Sequence, residues 1–85
     1  MLPTPEKVQS YIEAGLSCTH IQVEGDGAHF QALIVSPAFE GKRTVARHQL
    51  VYAALGDRIQ GSNAEIHALA MTTLTPAEYQ EQFNG

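Results

Sequence analysis

The spacing of apolar residues changes several times along the chain, and each change marks an element. Val8, Tyr11, Ile12 and Leu16 recur three and four residues apart, the repeat of a helix that buries one face. Ahead of them Thr4 is placed to cap, Pro5 to take the first helical position and Glu6 to occupy the first turn, so a helix starts there and closes near Gly15. The period then falls to two. Ile21 and Val23 alternate with Gln22 and Glu24, the run breaks at Gly25-Asp26-Gly27, and an apolar strand resumes from about Ala28 to Ser36, which together predict a β-hairpin. Pro37 ends that strand, and Val45, His48, Tyr52, Leu55 and Ile59 return to helical spacing, predicting a second helix from about Thr44 to Ile59. After a turn at Gly61-Ser62-Asn63, residues 65 to 73 read as a third strand, with Ile66, Ala68 and Ala70 on one parity and His67, Leu69 and Met71 on the other. Thr75-Pro76-Ala77-Glu78 is a capping box, and a short last helix over roughly 76 to 83 follows it.

The order is therefore helix, strand, strand, helix, strand, helix. Strand two reaches strand three through a helix, so these two are expected to be parallel neighbours joined by a right-handed crossover, while the glycine-rich turn makes strands one and two antiparallel. The expected fold is α+β, with a three-stranded mixed sheet and helices on one face. Length agrees with one domain over residues 1–85: a chain of this size buries about 60 to 65% of the surface it exposes when unfolded, enough for a small core.

Composition removes several classes of function. The single cysteine, Cys18, cannot form an intrachain disulfide, and the four histidines do not fall into a zinc-finger spacing. A reduced, cytoplasmic setting is the expectation, and neither a leader segment nor a membrane-spanning run is legible. No nucleophile elbow, phosphate loop or apolar carboxylate pair is present, so no enzyme is expected; Gly25-Asp26-Gly27 leads into a strand, which excludes a dinucleotide fingerprint. The formal net charge of -4 argues against nucleic-acid binding by bulk charge, yet Lys42, Arg43, Arg47 and Arg58 share one stretch with a single acid, Asp57. The cluster Lys42, Arg43 and Arg47 at the start of helix two is thus a candidate phosphate-contacting patch, against the alternative of a solvated helix start.

His29 and His67 lie just inside the starts of strands two and three. If those strands are parallel neighbours, both histidines stand at the same end of the sheet, one strand spacing of about 4.8 Å apart. Phe30, Ala32 and Ile34 take one parity of strand two, and Ile66, Ala68 and Ala70 one parity of strand three, so both histidines fall on the opposite parity and are expected to share a face. Two imidazoles make only half of a four-coordinate metal site; the alternative for each is a hydrogen-bonded structural histidine. His48 is expected in the core, His20 in solvent, and Cys18 as a small loop-side hydrophobe.

With these elements placed, "VEGDGAHFQALIVSPAFEGKRTVARHQLVYAAL" and "IHALAMTTLTPAEY" are the segments by which the chain resembles the BolA family, most closely its short bacterial IbaG-type members. The second segment is the more telling, because the family's signature histidine opens the last strand as His67 does here. The resemblance implies a fold similar to the class II KH domain. It implies pairing with a monothiol glutaredoxin and a shared [2Fe-2S] cluster, in iron-sulfur cluster trafficking or iron and stress regulation. The cluster ligands on this side would be His67 and a hairpin-loop residue, matched by His29; the loop cysteine of some relatives has no counterpart, since Cys18 precedes strand one. Imidazole in place of thiolate on one iron raises the reduction potential. The family also includes nucleic-acid-binding transcription regulators, so DNA is a second candidate partner, although "EGKRT" lacks the G-x-x-G loop of KH domains. A homodimer is the third arrangement left open.

Overall fold

The structure is a computed structural model that describes residues 3–59 and 66–83. Helix α1 (Pro5–Gly15) begins where Thr4 Oγ1 accepts a hydrogen bond from the Lys7 N–H at 3.2 Å, and it buries Val8 and Ile12 completely. At its end Gly15 lies so close to α2 (Thr44–Leu55) that a Cβ there would come within 2.9 Å of the Ala54 Cα. Strands β1 (His20–Gly25) and β2 (His29–Val35) form the expected antiparallel hairpin, and β2 pairs in parallel with β3 (Ala68–Leu74), giving the sheet order β1-β2-β3.

Register decides which side chains are inside. Ile21 and Val23 stand opposite Ile34 and Ala32, while Phe30, Ala32 and Ile34 stand opposite Leu69, Met71 and Thr73. This face meets Val8, Ile12, Leu16, Val51 and Leu55 of the α1–α2 layer, and the core closes around fully buried Phe39 and Ile66. The other face, with Gln22, Glu24, Gln31, Ala70 and Thr72, is exposed. Ser36, completely buried between β2 and the 3-10 turn Pro37–Phe39, has its hydroxyl satisfied: it donates to the Ser17 carbonyl and accepts from the Ala38 N–H.

Two expectations change in α2. The helix stops at Leu55 instead of Ile59 because Gly56 takes a φ of 57° and its N–H bonds back to the Tyr52 carbonyl, with a 3-10 turn over Gly56–Arg58 beyond it. The apolar stripe keeps Leu55 and Ile59 but its first turns are rotated. Val45 is 70% exposed and His48 and Tyr52 are only half-buried, whereas Val51 and Leu55 face inward with Leu50 and Ala54 beside them. Helix α3 (Pro76–Phe83) opens with the expected reciprocal cap: the Glu78 N–H donates to Thr75 Oγ1 at 3.2 Å and the Thr75 N–H to Glu78 Oε1 at 2.8 Å. It stands at the end of the sheet, where its Tyr79 ring stacks on His20 of β1 at 4.9 Å. The turn expected at Gly61-Ser62-Asn63 and the strand start at Glu65 lie outside the described residues.

Candidate functional site

His29 owes its position to the hairpin. Asp26 Oδ1 accepts hydrogen bonds from the Ala28 N–H at 3.0 Å and the His29 N–H at 2.9 Å, and the Asp26 N–H donates to the His29 carbonyl at 3.2 Å. Glycine is required on both sides: Gly27 has a φ of 104°, and a Cβ at Gly25 would run into the Phe30 ring. The two backbone N–H groups hold the Asp26 carboxyl below its ordinary range. His29 emerges on the outer face, opposite Ala68, with its Nδ1 4.0 Å from Asp26 Oδ2. Glu24, Gln31, Ala68 and Ala70, all on that face, surround an open concavity of about 440 Å³ beside it. The two alanines leave the imidazole uncovered.

His67 occupies the bend before β3 and is exposed. Ile66, 1% exposed, donates its N–H to the Arg58 carbonyl at 2.9 Å, and Ala68 begins the sheet by donating to the Ala28 carbonyl at 3.2 Å. The expected alternation through this segment is therefore corrected. Ile66 is inside, yet the next inward residues are Leu69 and Met71, so the two-residue period shifts by one at the bend and leaves His67 and Ala68 consecutively exposed. Register also pairs His29 with Ala68 and Phe30 with Leu69, so Ala68 and Ala70 share the outer face with His29. The parity argument for a common histidine face thus fails; what the fold provides is proximity, since His67 adjoins the residue that pairs with His29. Among the described residues no group of three or more histidine, cysteine, aspartate or glutamate side chains is arranged to hold a metal ion.

The basic patch divides. Lys42 and Arg43 are exposed, but Arg47 is an internal strut with 13% of its side chain accessible. Its Nε donates to the Lys42 carbonyl at 2.8 Å, its Nη1 to the Thr73 carbonyl at 3.0 Å and to Glu78 Oε1 at 2.7 Å, and its Nη2 to Glu78 Oε2 at 3.3 Å, while Phe39 lies beneath the guanidinium. Those bonds from Arg47, with the Thr75 N–H adding to them, hold the Glu78 carboxyl at about 2 against an ordinary 4.5. Arg47 is therefore corrected from a phosphate contact to a clasp joining α2, β3 and α3. Arg58 lies over the Tyr11 ring at 3.9 Å.

His20 is half-buried under Tyr79 instead of solvent-facing, and Cys18 packs against the core edge with its thiol donating to the Leu16 carbonyl; burial, and then Glu13, push that thiol up. Asp26, which fixes the turn before His29, is the residue at this end that the sequence reading did not single out. An aspartate three positions before a candidate ligand in a Gly-Asp-Gly turn was the available signal.

A family model described as "BolA-like protein" matches residues 4–78. The chain is 37% identical over 81 residues to the acid stress protein IbaG of Escherichia coli strain K12, covering 93% of this chain and 94% of that one. It is 40% identical over 63 residues to the DNA-binding transcriptional regulator BolA of Haemophilus influenzae, covering 74% of this chain and 58% of the regulator. A solved structure of a BolA protein homologue from Coxiella burnetii superposes with a TM-score of 0.78 at 43% identity, covering 93% of this chain and 99% of that one.

Proposed function

The chain belongs to the BolA-like family, and we propose that it acts as an adaptor that pairs with a monothiol glutaredoxin and supplies imidazole ligands to a shared [2Fe-2S] cluster, in iron-sulfur trafficking or stress regulation. One observation carries this reading. His29 and His67 stand exposed at the same end of adjacent parallel strands. The donor set fits a shared centre, since imidazole nitrogen binds iron and two such nitrogens leave the remaining positions to a partner's thiolates. His67 is the principal ligand in this proposal and His29 the second. When bound, the cluster would supply one-electron chemistry; this chain's part is to present the two nitrogens beyond the hairpin and the bend. The two relatives are named as a stress protein and a transcriptional regulator, which supports a role in stress regulation.

Co-expression with a monothiol glutaredoxin under anaerobic purification tests the proposal. A coloured heterocomplex with histidine-ligated cluster spectra is expected; a colourless complex, or none, contradicts it. Binding of duplex DNA through Lys42 and Arg43 is the second reading, favoured by their exposure and by the DNA-binding relative. The fold leaves that surface two cations instead of three, because Arg47 is engaged.

A further inference from the structure

We propose that Asp26 is a positioning residue that holds the neutral His29 imidazole in the tautomer protonated at Nδ1, so that the Nε2 lone pair is presented to an incoming metal centre. The inference rests on the reading of His29 as a ligand, and its first test does not.

Three contacts support it. Oδ1 of Asp26 is committed to the Ala28 and His29 N–H groups, which fixes the carboxylate relative to the start of β2. Its other oxygen, Oδ2, then lies 4.0 Å from His29 Nδ1, beyond hydrogen-bond distance in this arrangement; with the carboxylate anchored through Oδ1, in the proposed state the exposed His29 ring turns to bring Nδ1–H onto Oδ2. A carboxylate beside Nδ1 accepts an N–H there, and the nitrogen that carries the proton cannot coordinate metal. Free imidazole side chains favour the opposite tautomer, with the proton on Nε2, which would block the outer nitrogen. Beyond the ring, the concavity bounded by Ala68 and Ala70 leaves room for whatever His29 would hold.

Asp26→Asn separates placement from tautomer. Its carbonyl oxygen can still accept the two backbone N–H groups, but its NH₂ replaces Oδ2 as the group facing Nδ1. The amide then donates to Nδ1 and drives the proton to Nε2. Long-range ¹H–¹⁵N NMR of the isolated chain at about pH 8.5, well above the ordinary histidine range, reads the tautomer directly. His29 is expected to carry its proton predominantly on Nδ1 in the native chain and on Nε2 in Asp26→Asn, with hairpin amide shifts retained. A His29 predominantly protonated at Nε2 in the native chain, or a tautomer ratio that Asp26→Asn leaves unchanged, overturns the inference. A hairpin disrupted in Asp26→Asn moves the decision to the native tautomer alone. The same variants in the reduced glutaredoxin complex distinguish the underlying reading: if the tautomer switches as expected but His29→Ala leaves the nitrogen hyperfine couplings of the cluster unchanged, Asp26 positions His29 and His29 is not a ligand.

Discussion

The two ends of the β2–β3 pair are built from the same strands and are physical opposites. Along β2 burial rises from exposed His29 to buried Ile34 and Val35, and along β3 from exposed Ala68 to buried Thr73 and Leu74. At the closing end polar groups are consumed internally: Arg47 satisfies two carbonyls and the Glu78 carboxylate, and the Ser36 hydroxyl bridges the Ser17 carbonyl and the Ala38 N–H. At the opening end the His29 and His67 side chains are exposed, and Asp26 is tied to the turn through one carboxylate oxygen, Oδ1. The difference places the internally paired polar groups at one end of the pair and the exposed histidines at the other. Groups already paired with the protein have little left to offer a partner, and exposed groups add little to folding.

The largest expected effect lies at the closing end. Arg47→Ala removes the donors of two main-chain carbonyls and is expected to cost about 2 to 3 kcal/mol, lowering the thermal midpoint by roughly 10 to 20 °C. An unchanged melt would mean that this end is no more committed to folding than the other. Glu78→Gln sharpens the same point through pH. The folded-state value of about 2 lies below the ordinary 4.5, so the unfolded chain binds more protons between those values and stability rises with pH there. The contribution is therefore complete above the ordinary value and disappears as pH falls through the folded one. Melts should show Glu78→Gln less stable than the native chain near pH 7 and the gap closing toward about pH 2; a constant gap would assign the loss to packing.

At the opening end, His29→Ala and His67→Ala should move stability by no more than about 0.5 kcal/mol, as surface substitutions do. Equilibrium urea unfolding checks this, and a loss comparable with that of Arg47→Ala would erase the contrast between the ends. The smallest effect concerns DNA. If duplex DNA binds, Lys42→Ala combined with Arg43→Ala should reduce the slope of log affinity against log salt by about one per lost phosphate contact. An unchanged slope would place that surface elsewhere.

Element order, strand directions and both predicted helix caps were legible because local chemistry sets them: Thr4 and Thr75 cap, Pro5 and Pro76 open, and Gly25 and Gly27 turn. The errors fall where tertiary contacts override period. Val45 fits a helical stripe by spacing, but close packing of Gly15 on Ala54 helps determine which side of α2 meets α1. Ile66 fits the strand alternation, but its fixed place in the core, tied to Arg58, forces the bend at His67 and reverses the parity. Arg47 looks like any exposed cation in a basic run, because its acceptors, Thr73 and Glu78, lie 26 and 31 residues away. That two histidines stand at one sheet end was legible from strand order. Their faces, and the part of Asp26, depend on register and turn geometry that composition does not carry.

On the proposed function, the opening end lends its imidazoles to a partner without being needed for the fold. Visible absorption and circular dichroism of the complex with a monothiol glutaredoxin, recorded for the native chain and for His67→Ala at equal concentrations beside their melts, test it most directly. The expected result is a coloured complex with the native chain and loss of the histidine-ligated cluster with His67→Ala, at unchanged midpoints. A His67→Ala chain that assembles an identical cluster, or one that loses the cluster only because it no longer folds while stable His67→Asn assembles it normally, would contradict the claim.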